Sequence, residues 1–323
     1  MAVHKTERRL PADFAATDLG EAVVSPDNKL ALVSYYSSPS ALNREQTYVA
    51  FVLDAALQGS VAHYQWQLGT LDTQTETGVW THSPDDVGTM ELTLTLRDGG
   101  GASLKSVTLS QTVVPPNQDL ENLIQLDVVR PAADDPATSR EVINDFLLYY
   151  HQLAPLATAE HLNRLLFGIS YVECQDHAKS DRETLLGNLA NQINNDNPLA
   201  FYQQANAGAG ICSIRPPLLA MVYSPGGGAL LPWAELPQDE AARNAAITAQ
   251  QTTLSGLAEE KHVDIFNLLR FPKANLTLCK QICDALRTRY FAGDSYSTIL
   301  VDATRAGQLI DEFKTGPFAL GTP

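Results

Sequence analysis

The chain of 323 residues lacks several things that would place it quickly. No run of about eighteen apolar residues occurs, so nothing in it reads as a membrane-spanning helix. Basic residues are scarce: 22 Lys and Arg face 37 Asp and Glu, a net charge of −15. That deficit excludes non-specific nucleic-acid binding, which needs a basic footprint, and argues against adhesion to anionic membranes or acidic wall polymers. Met1–Arg9 carries positive charge but no following apolar core or cleavage site, so it does not read as a signal peptide. The expectation is cytoplasmic synthesis and, for any action outside, export by a route that needs no such signal. There is no Gly-x-Ser-x-Gly elbow, no His-Glu-x-x-His and no dinucleotide fingerprint, and no internal repeat or low-complexity segment. Only four cysteines are present, Cys174, Cys212, Cys279 and Cys283. Without a secretory signal they read as free, buried thiols. The Cys279/Cys283 pair lacks partners at ligand spacing beyond His177 and His262, so no metal and no cofactor is expected.

The length exceeds the usual size of one core and implies two domains. After an N-terminal segment, 1–21, residues 22–115 read as β-structure. Val49–Leu53 is a short apolar run, Tyr64–Gln67 alternates, and Met90–Leu96 is a strict period-two strand. Arg97-Asp98-Gly99-Gly100-Gly101 supplies turn chemistry leading to strands at Leu104–Leu109 and Thr112–Val114. Short strands between turns predict an antiparallel β-sandwich. Pro and Asp clusters at 115–117 and 131–136 mark a linker, 116–138. From Ser139 the apolar spacing turns helical, and 139–323 is expected to be mostly α-helical. Helices are predicted near 159–173, 181–194, 198–206, 215–223, 239–259, 261–270, 275–291 and 296–313. The fold class is therefore α+β in two domains.

Within the β region, Tyr64-Gln65-Trp66, Val87-Gly88-Thr89-Met90-Glu91-Leu92-Thr93-Leu94, Asp98-Gly99 and Val113-Val114 resemble the strands of polycystic-kidney-disease-type and related immunoglobulin-like domains. The likeness covers about 55 residues. It implies a fold and leaves function open among spacer, sugar-binding and docking roles.

In the second half the most informative residue is Glu173, which closes the apolar stretch Leu165–Val172. An acid at the end of a buried helix is desolvated; its pKa rises, and it can donate a proton to a leaving oxygen. Alternatively, it caps the wet end of a core helix. Two further segments follow: Asn206-Ala-Gly208-Ala-Gly210-Ile211-Cys212-Ser213-Ile214, and Pro272-Lys-Ala-Asn275-Leu276 leading to Gly293-Asp294. In this order the three segments resemble the lysozyme-like superfamily, specifically goose-type lysozymes and lytic transglycosylases, in divergent form. Cys174 stands where that family has Ser, and the groove motif lacks its Gln. The resemblance implies Glu173 as catalytic acid and Gly210 and Ile211 in a substrate groove.

A hydrolase also needs a group to place or activate water, and Asp176 and Asp181 follow Glu173 closely enough to line the same mouth. Asp181 and Glu183 also fit the acidic first turn of a helix. A transglycosylase needs only Glu173, because the substrate's own hydroxyl attacks. Trp233 is positioned by its Leu-Leu-Pro-Trp context either to stack on a sugar face or to pack in a core. His177 reads as a loop histidine, and Ser224–Gly228 as a rim loop. The leading functional reading is a peptidoglycan-cleaving enzyme, a delivered toxin or lysin that partners the wall polymer and a secretion or phage-like apparatus. The competing reading is a non-catalytic structural or interaction protein of such an assembly.

Overall fold

Strict alternation through Met90–Leu96 puts Leu92, Leu94 and Leu96 on one side of a strand, and all three are fully buried. They belong to the first of two compact units into which the chain divides. These are Met1–Gln152 with Phe271–Lys273, and Leu153–Arg270 with Ala274–Pro323. The computed structural model describes residues 3–35, 40–43, 45–115, 165–166, 169, 179–203, 208–224, 237 and 239–315. The expected linker, 116–138, lies outside them.

The first unit carries strands β1 (Ala22–Val24), β2 (Leu30–Ser34), β3 (Ser40–Ala41), β4 (Gln46–Val52), β5 (His63–Leu68), β6 (Leu71–Thr75), β7 (Val79–His82), β8 (Gly88–Arg97) and β9 (Ser103–Val114). They form one sheet in the order β1-β2-β4-β7 and another in the order β3-β9-β8-β5-β6. Pairing is antiparallel except between β3 and β9, which run parallel. A two-residue strand more than seventy residues from its partner has no alternation to read, so it leaves no local pattern. The two strands expected at 104–109 and 112–114 are one. Val107, Leu109, Gln111 and Val113 alternate inward without a break, and buried Gln111 accepts a hydrogen bond from the Tyr48 hydroxyl at 3.0 Å.

Both sheets contribute to a single apolar core. At its centre Trp66 stacks on Trp80, ring centroids 5.7 Å apart, and Trp80 stacks on Tyr48 at the same distance. The Trp66 indole N–H donates to Thr75 Oγ1 at 2.8 Å, so the ring is buried without stranding its polar atom. The β8–β9 turn works as its sequence implies: Asp98 Oδ1 accepts from the backbone N–H groups of Gly100 and Ala102, and Gly101 takes φ 83°.

Residues 1–21, expected as a separate segment, join this unit. Val3 enters the core, and the buried Glu7 carboxylate accepts from the Gly78 N–H at 2.9 Å and the Tyr64 hydroxyl at 3.3 Å. Gly78 is needed there, because a methyl group on it would crowd Glu7 and the Ala50 carbonyl. Two short helices, α1 (Ala16–Leu19) and α2 (Ala55–Gln58), also belong to this unit, α2 capped by the Asp54 side chain.

The second unit is helical: α3 (Lys179–Asn194), α4 (Pro198–Gln203), α5 (Pro216–Val222), α6 (Glu240–Ser255), α7 (Glu259–Arg270), α8 (Pro272–Tyr290), α9 (Tyr296–Val301) and α10 (Ala303–Thr315). Every residue of α7 from His262 to Arg270 is buried, so this helix is covered on all sides. Helices α3 and α5 pack against it, and α4 packs on α3, α5 and α6. Asp239 caps α6. The single helix expected over 296–313 is two: Asp302 adopts an extended conformation, and its Oδ1 accepts from the N–H groups of Thr304 and Arg305, starting α10 afresh.

Trp66→Ala is expected to lower stability by about 3–5 kcal/mol, the range for deleting a buried aromatic side chain. Denaturant unfolding followed by tryptophan-independent circular dichroism checks it, and an unchanged midpoint would remove Trp66 from the centre of the core.

Candidate functional site

Two of the three segments singled out in the second half meet in space, and one side chain joins them. Ala209 and Ile214 pair across a tight hairpin, their backbone N–H groups donating to each other's carbonyls at 2.9 and 3.0 Å. Between them Gly210 and Ser213 adopt φ values of 77° and 49°, a conformation that glycine takes without strain. Against this hairpin sits Asn275, fully buried near the start of α8. Its Nδ2 donates to the carbonyls of Ala209 at 3.2 Å and Leu269 at 3.1 Å, and its Oδ1 accepts from the Cys212 N–H at 2.9 Å. One carboxamide thus satisfies three backbone groups from the hairpin and the end of α7. The fit is close: a Cβ on Gly210 would collide with the Leu269 carbonyl and the Asn275 carboxamide, and one on Gly208 with the Ser213 backbone.

This geometry bears directly on the sequence-derived site residues. Gly210 and Ile211 lie in the hairpin, and Ile211 is 2% exposed, so its side chain packs inward. Asp181 falls in the first turn of α3. Glu173, Asp176 and Trp233 lie outside the described residues, as do Cys174 and His177. The approach to Glu173 is described in part: Leu165, Leu166 and Ile169 are helical, and each is buried to within 6%. Positions 165, 169 and 173 follow the four-residue step of one helical face in the sequence.

Below Asn275, Cys279 and Cys283 continue the same face of α8, and Cys212 faces them from the hairpin. All three are fully buried. Burial and the two neighbouring thiols push the Cys279 pKa well up, which keeps that thiol neutral. Among the described residues no group of three or more His, Cys, Asp and Glu side chains could hold a metal ion.

The helical unit also contains a titratable pair that the sequence did not single out as a pair. Tyr202, fully buried on α4, has its hydroxyl 3.0 Å from Nδ1 of His262, which is 5% exposed on α7. Burial holds the His262 pKa below the usual histidine value and pushes the Tyr202 phenol up. At neutral pH the imidazole is therefore uncharged, and the phenol proton can serve Nδ1. His262 borders a small cavity of about 120 Å³, whose wall includes Asp196, Ser255 and Glu259. Such a volume takes a few water molecules, not a sugar ring. No periodicity links positions 202 and 262, so nothing short of the fold could have paired them.

At the end of the third segment Gly293 takes φ 91°. There the Arg287 side chain donates to the Asp294 carbonyl at 3.0 Å, and Arg305 pairs with the Asp294 carboxylate at 2.7 Å.

Two outcomes are expected. Asn275→Ala leaves the Cys212 N–H and the Leu269 carbonyl without the carboxamide, while the Ala209 carbonyl keeps its bond from Ile214, and should cost at least about 2 kcal/mol in chemical denaturation, at roughly 1–3 kcal/mol for each unsatisfied group. His262 has a folded pKa below its unfolded one, so the unfolded chain binds the extra proton. Stability should be complete above about pH 6.5 and decline as pH falls below that value. His82, also held low by burial, acts with the same sign. The drop in midpoint between pH 7 and pH 5 should accordingly shrink, not vanish, in His262→Gln.

No family model matches the chain, and no curated protein does. Among solved structures, a match is the extracellular domain of a one-component system from B. thetaiotaomicron, with 15% identity and a TM-score of 0.20. It covers 24% of this chain, and the chain spans only 12% of that protein's length.

Proposed function

We propose that the helical unit is a divergent lysozyme-like domain that cleaves peptidoglycan or a related amino-sugar polymer. In this reading the β unit is an immunoglobulin-like docking or delivery domain. What carries it is the meeting at Asn275 of the small-residue hairpin and the Pro272-x-x-Asn275 helix start, two of the three segments on which the resemblance rests. The buried positions Leu165 and Ile169, one helical step apart and one step before Glu173, support an acid entering from an apolar helix. For the β unit, the order β3-β9-β8-β5-β6 opposite β1-β2-β4-β7, with Trp66 of β5 in the shared core, supports the immunoglobulin-like reading.

The chemistry follows from one acid. Glu173 transfers its proton to the glycosidic oxygen as the bond between that oxygen and the anomeric carbon breaks, and the positive charge developing on the sugar ring is quenched by a nucleophile. Water, placed by Asp176 or Asp181, gives a reducing end. The sugar's own hydroxyl gives an anhydro end, with its proton returned to Glu173. A toxin or lysin of this kind suits loading into a secretion or phage-like apparatus.

The second reading, a non-catalytic structural or interaction protein of such an assembly, is favoured by one feature. Ile211 and Cys212, at the point where the family lines its groove, are 2% and 0% exposed.

Purified protein is expected to release muropeptides from peptidoglycan, and Glu173→Gln should lower the rate by about 10²–10⁴-fold while leaving the unfolding midpoint in place. Asp176→Asn should matter only if the products carry reducing rather than anhydro ends. Equal inertness of wild type and variant on several walls would hand the function to the assembly reading.

A further inference from the structure

A cleft opens at the end of the β unit where the β5–β6 turn and the β7–β8 loop approach each other. It has a volume of about 1060 Å³. Gln67–Leu71 form one wall, Pro84–Val87 the other, and Thr89, Glu91 and Thr93 of β8 the floor. Because Leu92, Leu94 and Leu96 point into the core, Thr89, Glu91 and Thr93 stand on the opposite face of the strand at every second position. Three carboxylates line the cleft, Asp85, Asp86 and Glu91, and no Lys or Arg does. His82 adds no positive charge at neutral pH. Its ring lies flat on Trp80, centroids 5.2 Å apart, and burial lowers its pKa. The rim is apolar at Val87, 55% exposed, and Leu71, 39% exposed, beside the adaptable side chain of Met90.

We infer that this cleft is a docking groove for an extended, basic polypeptide segment of a partner protein. The chemistry removes the other classes of occupant. An acidic lining repels nucleic acid. The carboxylates do not converge as a metal site among the described residues, and the volume is far beyond one ion. A glycan groove would offer an aromatic face for a sugar ring, and no Phe, Tyr or Trp lines this one. A second copy of the chain, itself at −15, is a poor match for an acidic groove. What remains is a chain that carries positive charge at alternate positions and apolar atoms between them. That period is the one at which Thr89, Glu91 and Thr93 are presented, and the two exposed apolar side chains serve as its anchors. The inference goes beyond the docking role given to the β unit, because it states what is docked, and it is independent of Glu173.

A fluorescein-labelled peptide of alternating Lys and Val tests it on the full chain by fluorescence anisotropy. Asp85→Asn/Asp86→Asn/Glu91→Gln should weaken binding by about tenfold, the sum of three modest exposed charge contacts. A control with the same change in net charge, Glu76→Gln/Glu240→Gln/Glu260→Gln, should change it by less than about twofold. Equal losses in the two triples would reduce the effect to general attraction by an acidic protein and overturn the proposal, as would no loss in the first. Hydrogen exchange of the wild type gives a check free of mutation. Adding the peptide should slow exchange in 67–71 and 84–91, and protection confined to other segments would also overturn it. Binding is read directly, so a negative result here leaves the glycan-cleavage test standing.

Discussion

The helical unit depends on one buried carboxamide. Asn275 has two donors and one acceptor atom in use, and together they tie Ala209 and Cys212 of the hairpin to Leu269 at the end of α7. A hairpin of small residues has little side-chain surface with which to hold itself in place. Its position must come from hydrogen bonds, and a buried hydrogen bond made by one partner alone is costly to lose. The glycines at 208 and 210 permit the close approach, and the approach in turn makes the carboxamide indispensable. Below the clamp the packing is apolar: three thiols, then Ile282 and Leu286, all fully buried.

The β unit is organised differently. Its centre is a stack of Tyr48, Trp80 and Trp66, whose area contributes most where both sheets meet. Polar atoms within it are satisfied across the core, by Tyr48 with Gln111 and by Trp66 with Thr75. The N-terminal residues close one side through Glu7, a buried acid that holds the Gly78 N–H and the Tyr64 hydroxyl. The outward face of β8 and β9 is polar and tied strand to strand, as by Thr93 with Thr108 and Thr95 with Ser106. A face so occupied with its own hydrogen bonds leaves recognition to the end of the sheet, where the acidic cleft opens.

Charge gives the two units a common theme. A chain with an excess of acid cannot use broad electrostatic attraction toward a wall polymer or a nucleic acid, so contact with either must rest on shape. Toward a basic polypeptide the same excess helps, raising the rate of encounter while the groove supplies the register.

Alternation at 90–96, the Asp98-Gly turn and the apolar helical spacing after 179 are local matters, and the sequence by itself determined them. Period and turn chemistry act over a few residues. Charge and cysteine content likewise needed no structure. The parallel β3–β9 pair, the merging of two strands into β9 and the break at Asp302 were decided by partners far along the chain or by a cap competing with an apolar pattern. For the site, the sequence picked out Gly210, Ile211 and Asn275 as members of separate segments. Only the fold made Asn275 the link between them, because a side-chain amide reaching backbone groups six and sixty-six residues away leaves no periodic trace. The Tyr202–His262 pair and the acidic cleft were hidden for the same reason. Each is an agreement between distant positions, and it exists only once tertiary packing has set the distances.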